Sequence, residues 1–465
     1  MPQKPSRRDF LKTVSTASAA ALALRMAPAA EAAAAPTAAL PGRKGASVVG
    51  LRAPKLDLVR CGVIGLGERG LPTLGELMLL EGCEVKALCD NHAPSLANGV
   101  AAMAKAGKPA AATYGDSTEA YKKMVERNDI DAVFICTPWR LHVPMAVAAM
   151  KAGKHAFIEV PAAVTLEECW QLVDTAEETQ RHCMMMENCC YGRDELMLLR
   201  MCREGVFGEL LHGEGAYLHD LREQMKSMEH GTGSWRTLEH ELRNGNIYPT
   251  HGLGPVAQYM SINRGDRFAR VVSLSSPSLG MPEYAARTFP EGHPRRKAKY
   301  ICGDMNTSII KTARGRTIVV QHDTMNPNPY SRANVIKGTK GVFQGYPNRV
   351  YLEGRSPKEH VWETDLARWY EQYEHPLWKK VEQIAAKLPS SGTRGHGGMD
   401  FVMRWRIVQC LREGLPLDQD VYDAAAWSSI SALSEKSVAQ GGAPMEVPDF
   451  TRGAWEKTAP LGIVT

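Results

Sequence analysis

The segment 59–80 constrains the fold most strongly, because a short β-branched run leads into a spaced glycine pattern and then into a helical stretch. After Val59–Ile64 come Gly65, Gly67 and Gly70 in the order GxGxxG. In a strand–turn–helix unit, the first glycine makes the tight turn and the second lets a phosphate approach the backbone. The third allows the helix to pack closely on the strand. The segment therefore predicts a dinucleotide-binding domain with the pyrophosphate at the helix N-terminus.

A second apolar run, Cys83–Cys89, ends at Asp90. This acid lies about 20 residues beyond the glycines, where the dinucleotide fingerprint requires one. A carboxylate at this position accepts hydrogen bonds from both adenosine ribose hydroxyls and repels a 2′-phosphate, so the sequence favours NAD over NADP. Strands and helices continue to alternate, and we place an α/β Rossmann domain at residues 57–182. The alternative is a Rossmann-like domain that binds no ligand.

Two further apolar runs end in loops that we expect at the same edge of the sheet. The run 131–136 leads into residues 137–142, with the sequence TPWRLH, and the run 154–158 leads into Glu159, Val160 and Pro161. Doubly wound sheets gather ligand-binding groups at the carboxyl ends of their strands. Both loops are therefore candidates for the cofactor site.

The remaining length and composition indicate a second globular domain. A chain of 465 residues suits two domains, and 44% hydrophobic with 23% charged residues is typical of a globular protein. The net charge of +5 is mild and the basic residues are scattered, so we do not expect a nucleic-acid partner. We place the second domain at residues 183–465, with helices at Met399–Glu413 and 421–440.

The first residues have the pattern of an export signal. Arg7 and Arg8 precede an Ala-rich, weakly apolar stretch with small-residue sites, which resembles a twin-arginine signal. A transmembrane anchor and a mitochondrial presequence are the alternatives, but Arg25 interrupts the apolar run too early for a bilayer span. We therefore expect transport by the twin-arginine machinery to the periplasm, no stable membrane anchor, and a signal plus linker at residues 1–56, outside the fold. The 11 cysteines are an odd number and we expect free thiols.

The loops after the third and fourth strands carry a resemblance to a known superfamily. The patterns TP-W-x-x-H, G-K-H and E-x-P resemble the glucose–fructose oxidoreductase and inositol dehydrogenase superfamily. That superfamily joins a Rossmann domain to a C-terminal α+β domain with an open, mostly antiparallel sheet. Many of its dehydrogenases have a lysine where this chain has Val160, and an aspartate shortly before a histidine corresponding to His251, which is also missing here.

Longer segments resemble one branch more closely. Residues 184–191, 213–220 and 245–252, together with 159–163, are similar to the NAD-dependent α-N-acetylgalactosaminidases of glycoside hydrolase family 109. The resemblance implies a glycoside or oligosaccharide substrate that ends in N-acetylgalactosamine. It also implies cofactor contacts from Glu68, Arg69, Asp90, Trp139, Arg140, Leu141, His142, Glu159, Val160 and Asn188. It implies substrate contacts from Tyr217, Arg236, Tyr248, Pro249, Thr250, His251 and Tyr330. The position of Arg140 is variable in the matching loop, which leaves its role open.

The implied chemistry is a cycle of oxidation at C3 of the sugar, elimination of the C1 substituent, addition of water and reduction, with tightly bound NAD recycled at each turnover. We assign the C3 hydroxyl proton to His251 and the C2 proton to Tyr217. A phenol needs activation for that task, by Arg236 or by the nicotinamide cation.

Other readings of the same residues stay open. His251 could be a structural histidine, Tyr217 could belong to the packing of a sheet, and His396 has no partner at metal-ligand spacing and is left unassigned. The alternative functions are an NAD-dependent sugar or polyol dehydrogenase with net hydride transfer, and a non-catalytic sugar-binding protein. We predict no metal site, and we expect that the open sheet pairs subunits in a homo-oligomer.

Overall fold

The strand before the glycine pattern lies at the centre of a six-stranded parallel sheet. The computed structural model describes residues 42–461, and the sheet has the strand order β3-β2-β1-β4-β5-β6. Its strands are β1 (Val59–Ile64), β2 (Cys83–Cys89), β3 (Ala112–Tyr114), β4 (Ala132–Ile135), β5 (His155–Ile158) and β6 (Cys183–Met185). The helices between them are α1 (Gly70–Leu77), α2 (Ala93–Lys105), α3 (Ala120–Val125), α4 (His142–Lys151) and α5 (Leu166–Thr179). The predicted Rossmann fold is confirmed.

The central strands of this sheet are buried on both faces. Every residue of β4 and β5 is buried, as the continuous apolar runs in the sequence predict. The sheet continues past residue 182, because β6 pairs with β5 in parallel register. The Rossmann sheet therefore includes three residues that the sequence placed in the second domain.

The second half of the chain builds an eight-stranded mixed sheet with the order β13-β12-β11-β7-β10-β9-β8-β14. Its strands are β7 (Leu210–Leu218), β8 (Phe268–Ser275), β9 (Asn306–Thr312), β10 (Thr317–Asp323), β11 (Val335–Gly338), β12 (Gly341–Gln344), β13 (Arg349–Leu352) and β14 (Met445–Glu446). Among the strand pairings of this second sheet within residues 42–461, β7–β10 is parallel and the others are antiparallel. This agrees with the expected open, mostly antiparallel sheet.

Helices cover one face of this sheet and extend beyond it. They are α6 (Arg193–Arg203), α7 (Thr232–Leu242), α8 (Thr250–Tyr259), α9 (Gly280–Thr288), α10 (Pro294–Lys297), α11 (Ala367–Tyr373), α12 (Pro376–Ala385), α13 (Met399–Glu413) and α14 (Val421–Ala439). The two predicted C-terminal helices are α13 and α14. No helix in residues 42–461 is long and apolar enough to cross a membrane.

The C-terminal helices pack back onto the Rossmann domain. Helix α14 contacts α5 and β6 as well as β8, and α13 contacts α1 and β1. Arg404 of α13 is fully buried and bonds to Glu76 and Thr73 of α1. The end of the chain therefore belongs to the nucleotide-binding half as much as to the second sheet.

The expected linker is wrong for its last residues, which are part of the fold. Arg43 forms an ion pair with Glu177 of α5, and Val48 is buried in the core. The backbone N–H of Leu56 donates to the carbonyl of Leu411. This stretch is poor in regular structure, which is why its pattern suggested a linker, but its bonds join it to α5 and α13. The arginine pair of the predicted export signal lies outside the described residues.

Candidate active site

A cleft of about 600 Å³ runs between the glycine loop and the second sheet. Most of the predicted site residues line it. From the glycine loop and the strand ends these are Gly65, Gly67, Glu68, Arg69, Asp90, Trp139, Leu141, His142, Glu159, Val160 and Asn188. From the second domain they are Tyr217, Arg236, Tyr248 and His251. The two sets of residues, far apart in sequence, share one cavity.

The remaining predicted residues do not line the cleft. Gly70 packs against the glycine loop, since a Cβ there would lie 1.8 Å from the Gly65 carbonyl oxygen. The Arg140 guanidinium forms an ion pair with Glu239 on α7, with Nε 2.7 Å from Oε1. Pro249 precedes α8 and Thr250 is its first residue. Tyr330 adjoins the cleft, with its ring centroid 5.0 Å from that of His219.

The glycine loop has the shape that a dinucleotide needs. Gly65 has φ +84°, which favours glycine, and its added Cβ would lie 2.6 Å from the Cys136 carbonyl oxygen. An added Cβ on Gly67 would meet nothing within 4 Å, so the protein itself leaves free space where the fingerprint requires a close approach of phosphate. Asp90 stands at the end of β2 and fixes the loop, because its Oδ2 accepts a hydrogen bond from the backbone N–H of Leu66 at 2.7 Å. These residues fit NAD.

A network of buried charges lies beneath this loop. Arg69 binds Asp400 of α13 through two parallel bonds of 2.7 and 2.8 Å, and its Nε is 2.8 Å from Oε1 of Glu159. Asn188 donates to the same Asp400 at 2.7 Å, and Nδ1 of His396 lies 2.7 Å from its other oxygen. Burial alone would raise the pKa of Asp400, but the bonds from Arg69 and His396 hold it well below its usual range. Asp400 is therefore a charged anchor shared by both halves.

On the other side of the cleft, a buried carboxylate orients His251. The Nδ1 atom lies 2.6 Å from Oε1 of Glu187, and Nε2 lies 3.2 Å from the Tyr248 hydroxyl. Burial would raise the pKa of Glu187, but the charge and hydrogen bond of His251 lower it. A carboxylate on Nδ1 leaves Nε2 free to exchange a proton.

Close backbone contact brings Tyr217 beside His251. Gly215 of β7 and Gly252 of α8 meet so closely that a Cβ on Gly215 would lie 2.3 Å from the Gly252 carbonyl oxygen. The ring centroids of Tyr217 and His251 are consequently 5.3 Å apart. Burial raises the pKa of Tyr217, and the positive charge of Arg236 opposes this only in part. Arg236 alone thus does not provide the activation that the sequence suggested.

Aromatic rings form the wall between the two halves. Tyr248 stacks on Trp139 with ring centroids 5.4 Å apart, and Trp235 meets Trp139 edge-on at 5.0 Å. The Arg236 guanidinium lies 5.4 Å from the Tyr248 ring and 5.6 Å from the Trp139 ring. Flat apolar faces with hydroxyl and guanidinium donors at their edges are suited to a sugar ring.

Sequence reasoning missed several residues of this site. This chain lacks the aspartate that many related dehydrogenases have shortly before the histidine, and Glu187, which follows β6, is the carboxylate that binds His251 instead. His396 lines the cleft, on a turn whose left-handed conformations (φ +49° at His396 and +70° at Gly397) follow from its glycine-rich sequence. His219 and Trp235 also line the cleft, and Asp400 anchors it from beneath. In the sequence, the Gly-His-Gly-Gly run that contains His396 was the one signal for any of these residues.

Three of the described residues could together hold a metal ion. One ligand atom each of Glu187, Cys189 and His251 lie within 4.8 Å of one another. The Arg332 guanidinium lies 3.4 Å from the Cys189 sulfur, and a positive charge there opposes a cation. The ion pair of Glu187 with His251 accounts for the cluster.

A Rossmann domain and an open mixed sheet that share one cleft define the class of two-domain proteins with an NAD-binding oxidoreductase fold. Residues 59–187 match the oxidoreductase family with an NAD-binding Rossmann fold, and residues 191–457 match the C-terminal domain of glycosyl hydrolase 109. The chain belongs to glycosyl hydrolase family 109.

Proteins that are similar to this chain over most of its length belong to the same family. A glycosyl hydrolase family 109 protein 1 of Shewanella sp. (strain ANA-3) is 55% identical over 460 residues, 98% of each chain. A family 109 protein of Shewanella sp. (strain W3-18-1) is 57% identical over 90% of this chain and 91% of its own. The chain is therefore a glycoside hydrolase whose Rossmann domain binds NAD.

Solved structures share the fold at low identity. Levoglucosan dehydrogenase in complex with NADH has a TM-score of 0.64 and 20% identity, over 84% of this chain and 99% of that one. The WlbA dehydrogenase from Bordetella pertussis in complex with NADH and UDP-GlcNAcA has a TM-score of 0.58 and 15% identity, over 85% and 99%.

Proposed function

We propose that this glycoside hydrolase removes terminal α-linked N-acetylgalactosamine from glycans, with NAD that stays bound and is regenerated at each turnover. One observation carries the proposal: Tyr217 and His251, which the buried Glu187 orients, line the same cleft as the glycine loop. A hydrolase that used two carboxylates across the scissile bond would have no need of a nucleotide site beside them.

The residues that would hold NAD are those of the glycine loop and strand ends. Gly67 leaves room for the pyrophosphate and Asp90 would bind the adenosine ribose. Val160 and His142 line the cleft further along, toward Tyr248. Bound NAD supplies reversible removal of hydride from C3 of the sugar, which makes the neighbouring C2 proton acidic.

His251 is the group for the C3 hydroxyl proton. The buried Glu187 carboxylate on its Nδ1 stabilises the positive charge that the imidazole gains when Nε2 accepts a proton. Tyr248, 3.2 Å from Nε2, extends the same hydrogen-bond path into the cleft. The carboxylate holds the ring in place, and the imidazole exchanges the proton.

Tyr217 is the group for the C2 proton. Its hydroxyl lies 3.1 Å from Nδ1 of His219. Burial raises its pKa and the positive charge of Arg236 lowers it. The nicotinamide is already reduced and uncharged when the C2 proton leaves, so the groups that assist the phenol are Arg236 and His219, whose Nδ1 is placed to take the phenol proton.

His396 is suited to protonate the departing C1 oxygen. It lines the cleft, its side chain is 58% exposed, and its Nδ1 lies 2.7 Å from the buried Asp400 carboxylate, which leaves Nε2 as the nitrogen for proton exchange. Elimination and the later addition of water need one group that first gives and then takes a proton.

Retention of NAD, export and assembly complete the proposal. An enzyme that folds around its cofactor in the cytoplasm and leaves by the twin-arginine route would keep NAD where free NAD is scarce. Replacing Arg7 and Arg8 by lysine should leave the protein in the cytoplasmic fraction, with unchanged bound NAD.

We also propose that the exposed face of the second sheet, which includes Leu274 and Ile309, pairs with a second copy. Light scattering of the wild type and of Ile309→Asp tests this.

The decisive experiment uses an aryl α-N-acetylgalactosaminide in heavy water. The proposal expects release of the aglycone, deuterium at C2 of the product and no net formation of NADH. Net NADH without aglycone release would instead establish a sugar dehydrogenase. No reaction with a broad panel of glycosides would favour a sugar-binding protein.

The variant Tyr217→Phe separates the two proton transfers. It should abolish aglycone release and deuterium exchange, because the C2 base is gone. It should still form enzyme-bound NADH in a single turnover, because His251 remains. Unchanged deuterium exchange in this variant would assign the C2 proton to another residue.

A further inference from the structure

A row of aromatic rings continues from the cleft to the surface. The ring centroid of Tyr330 lies 6.2 Å from that of Tyr217, and the Tyr346 centroid lies 6.0 Å from that of Tyr330. Tyr217 is buried, whereas Tyr330 and Tyr346 are 39% and 37% exposed. The outer two rings therefore present apolar surface directly beside the cleft.

A buried ion pair supports the two outer rings from beneath. The Arg332 guanidinium lies 5.9 Å from the Tyr330 ring and 5.6 Å from the Tyr346 ring. One of its nitrogens lies 3.3 Å from the Tyr330 hydroxyl, and another forms an ion pair with the buried Glu195. The charge is thus neutralised inside the protein, and the exposed sides of the rings are uncharged.

The backbone at Tyr346 is held in a conformation that such a residue rarely adopts. Its φ is +55°, in the left-handed region, which is strained for a bulky side chain. The turn between β12 and β13 is fixed at this point, because Gly345 N donates to the Asn334 carbonyl at 3.1 Å and Asn348 donates to Asp194. Glycine would take this conformation without strain. The chain nevertheless has a partly exposed tyrosine at this position beside the cleft, which points to a role in binding.

We propose that Tyr330 and Tyr346 form a platform for a second sugar residue, the one joined to the N-acetylgalactosamine that the cleft cleaves. Uncharged aromatic faces beside a sugar cleft fit a ligand with an apolar ring face and hydroxyl edges. This inference rests on the proposed function and deepens it: the substrate class is an oligosaccharide, not a simple glycoside with a small leaving group.

The test compares two substrates that differ by this sugar. One is methyl α-N-acetylgalactosaminide, whose small aglycone cannot reach the platform, and the other is an oligosaccharide with a terminal α-N-acetylgalactosamine. Tyr346→Gly should lower kcat/KM for the oligosaccharide by roughly 2- to 10-fold, the range for one aromatic contact. It should leave kcat/KM for the methyl glycoside within about twofold.

Two controls separate binding from folding. Tyr346→Phe keeps the ring and should keep both rates. Tyr346→Gly relieves the left-handed backbone, so its Tm should equal or exceed that of the wild type. Equal loss on both substrates would overturn the inference and leave the proposed function standing. If the wild type hydrolyses neither substrate, the proposed function fails, and this inference falls with it.

Discussion

The two halves of the cleft are held together by different forces. Beneath the glycine loop, formal charges dominate, since Arg69 pairs with Asp400 and Glu159 inside the protein. Around the sugar position, ring contacts dominate, and two ion pairs accompany them, His251 with Glu187 and Arg332 with Glu195.

This difference corresponds to two tasks: the charged network positions the cofactor, and the sugar side carries out proton transfer. Arg69, Asp400 and Glu159 beneath the glycine loop already have partners of opposite sign, which holds the loop and leaves these three groups little capacity to exchange protons. His396, at the exposed edge of the network, is the exception, because only its Nδ1 is bound to Asp400. On the sugar side, His251 binds Glu187 through Nδ1, which leaves Nε2 for proton exchange in the cleft. The cofactor half is built to hold a ligand in place, and the sugar half to move protons.

The largest effect should come from His251→Ala, which removes a proton-transfer group from the sugar half. We expect kcat/KM to fall by roughly 10²- to 10⁴-fold, the usual contribution of general acid–base catalysis, while the NAD content of the purified protein is unchanged. The matched control is His212→Ala, a histidine of the same strand as Tyr217 that bonds to Thr317 outside the cleft. Loss of NAD together with activity would show that His251 is structural and would erase the division between the halves.

Asp400→Ala should have the next largest effect, on the cofactor half. Removing one partner of a buried ion pair costs up to about 3–5 kcal/mol. The cost here is smaller than that maximum, because Arg69 keeps its second partner, Glu159. We expect a lower free energy of unfolding in urea and a lower NAD content. The control is Asp116→Ala, whose exposed pair with Lys123 should be dispensable. An unchanged stability would mean that solvent reaches the network.

Acid should weaken both halves together. Burial lowers the pKa of His155 to about 3 in the Rossmann domain and that of His240 to about 4 in the second domain. The unfolded chain takes up protons on these groups as the pH falls below about 6.5, while the folded chain does not. Stability is therefore intact above pH 6.5 and declines below it, by up to about 1.4 kcal/mol per pH unit for each histidine, until the folded pKa is reached.

Urea unfolding at pH 7 and pH 5 measures this decline. In the variant His155→Gln the slope of stability against pH should be shallower than in the wild type. Two separate transitions at pH 5, one for each domain, would contradict the expectation that both halves fail together.

Local patterns in the sequence were enough to predict the cofactor half. The glycine spacing, the position of Asp90 and the apolar strands depend on residues close together in the chain, and the structure has all of them. Asp400 was not predictable, because 331 residues separate it from Arg69 and only packing of α13 against α1 brings them together. Because the C-terminal helices pack back onto the first domain, no short segment of the sequence indicates this contact.

The sugar half depended on resemblance more than on pattern. Tyr217 and His251 meet through the contact of Gly215 with Gly252, which no periodicity reveals. No carboxylate partner of His251 was predicted, because the aspartate that precedes the histidine in many related dehydrogenases is missing here; the partner, Glu187, lies 64 residues away. The residues themselves were identified correctly as lining the cleft, but their partners were visible only in the structure.

Gly67→Ala should have the smallest effect on folding. It also tests most directly whether the glycine loop is shaped for the cofactor. A Cβ at Gly67 meets nothing within 4 Å, so the Tm of the NAD-free protein should be nearly unchanged. The same Cβ would stand where the pyrophosphate approaches, and added NAD should raise the Tm less than in the wild type. Gly65→Ala is the matched opposite: at φ +84° and 2.6 Å from the Cys136 carbonyl oxygen, it should lower the Tm even without NAD. If the two variants behave alike, the free space at Gly67 belongs to the fold and not to the cofactor.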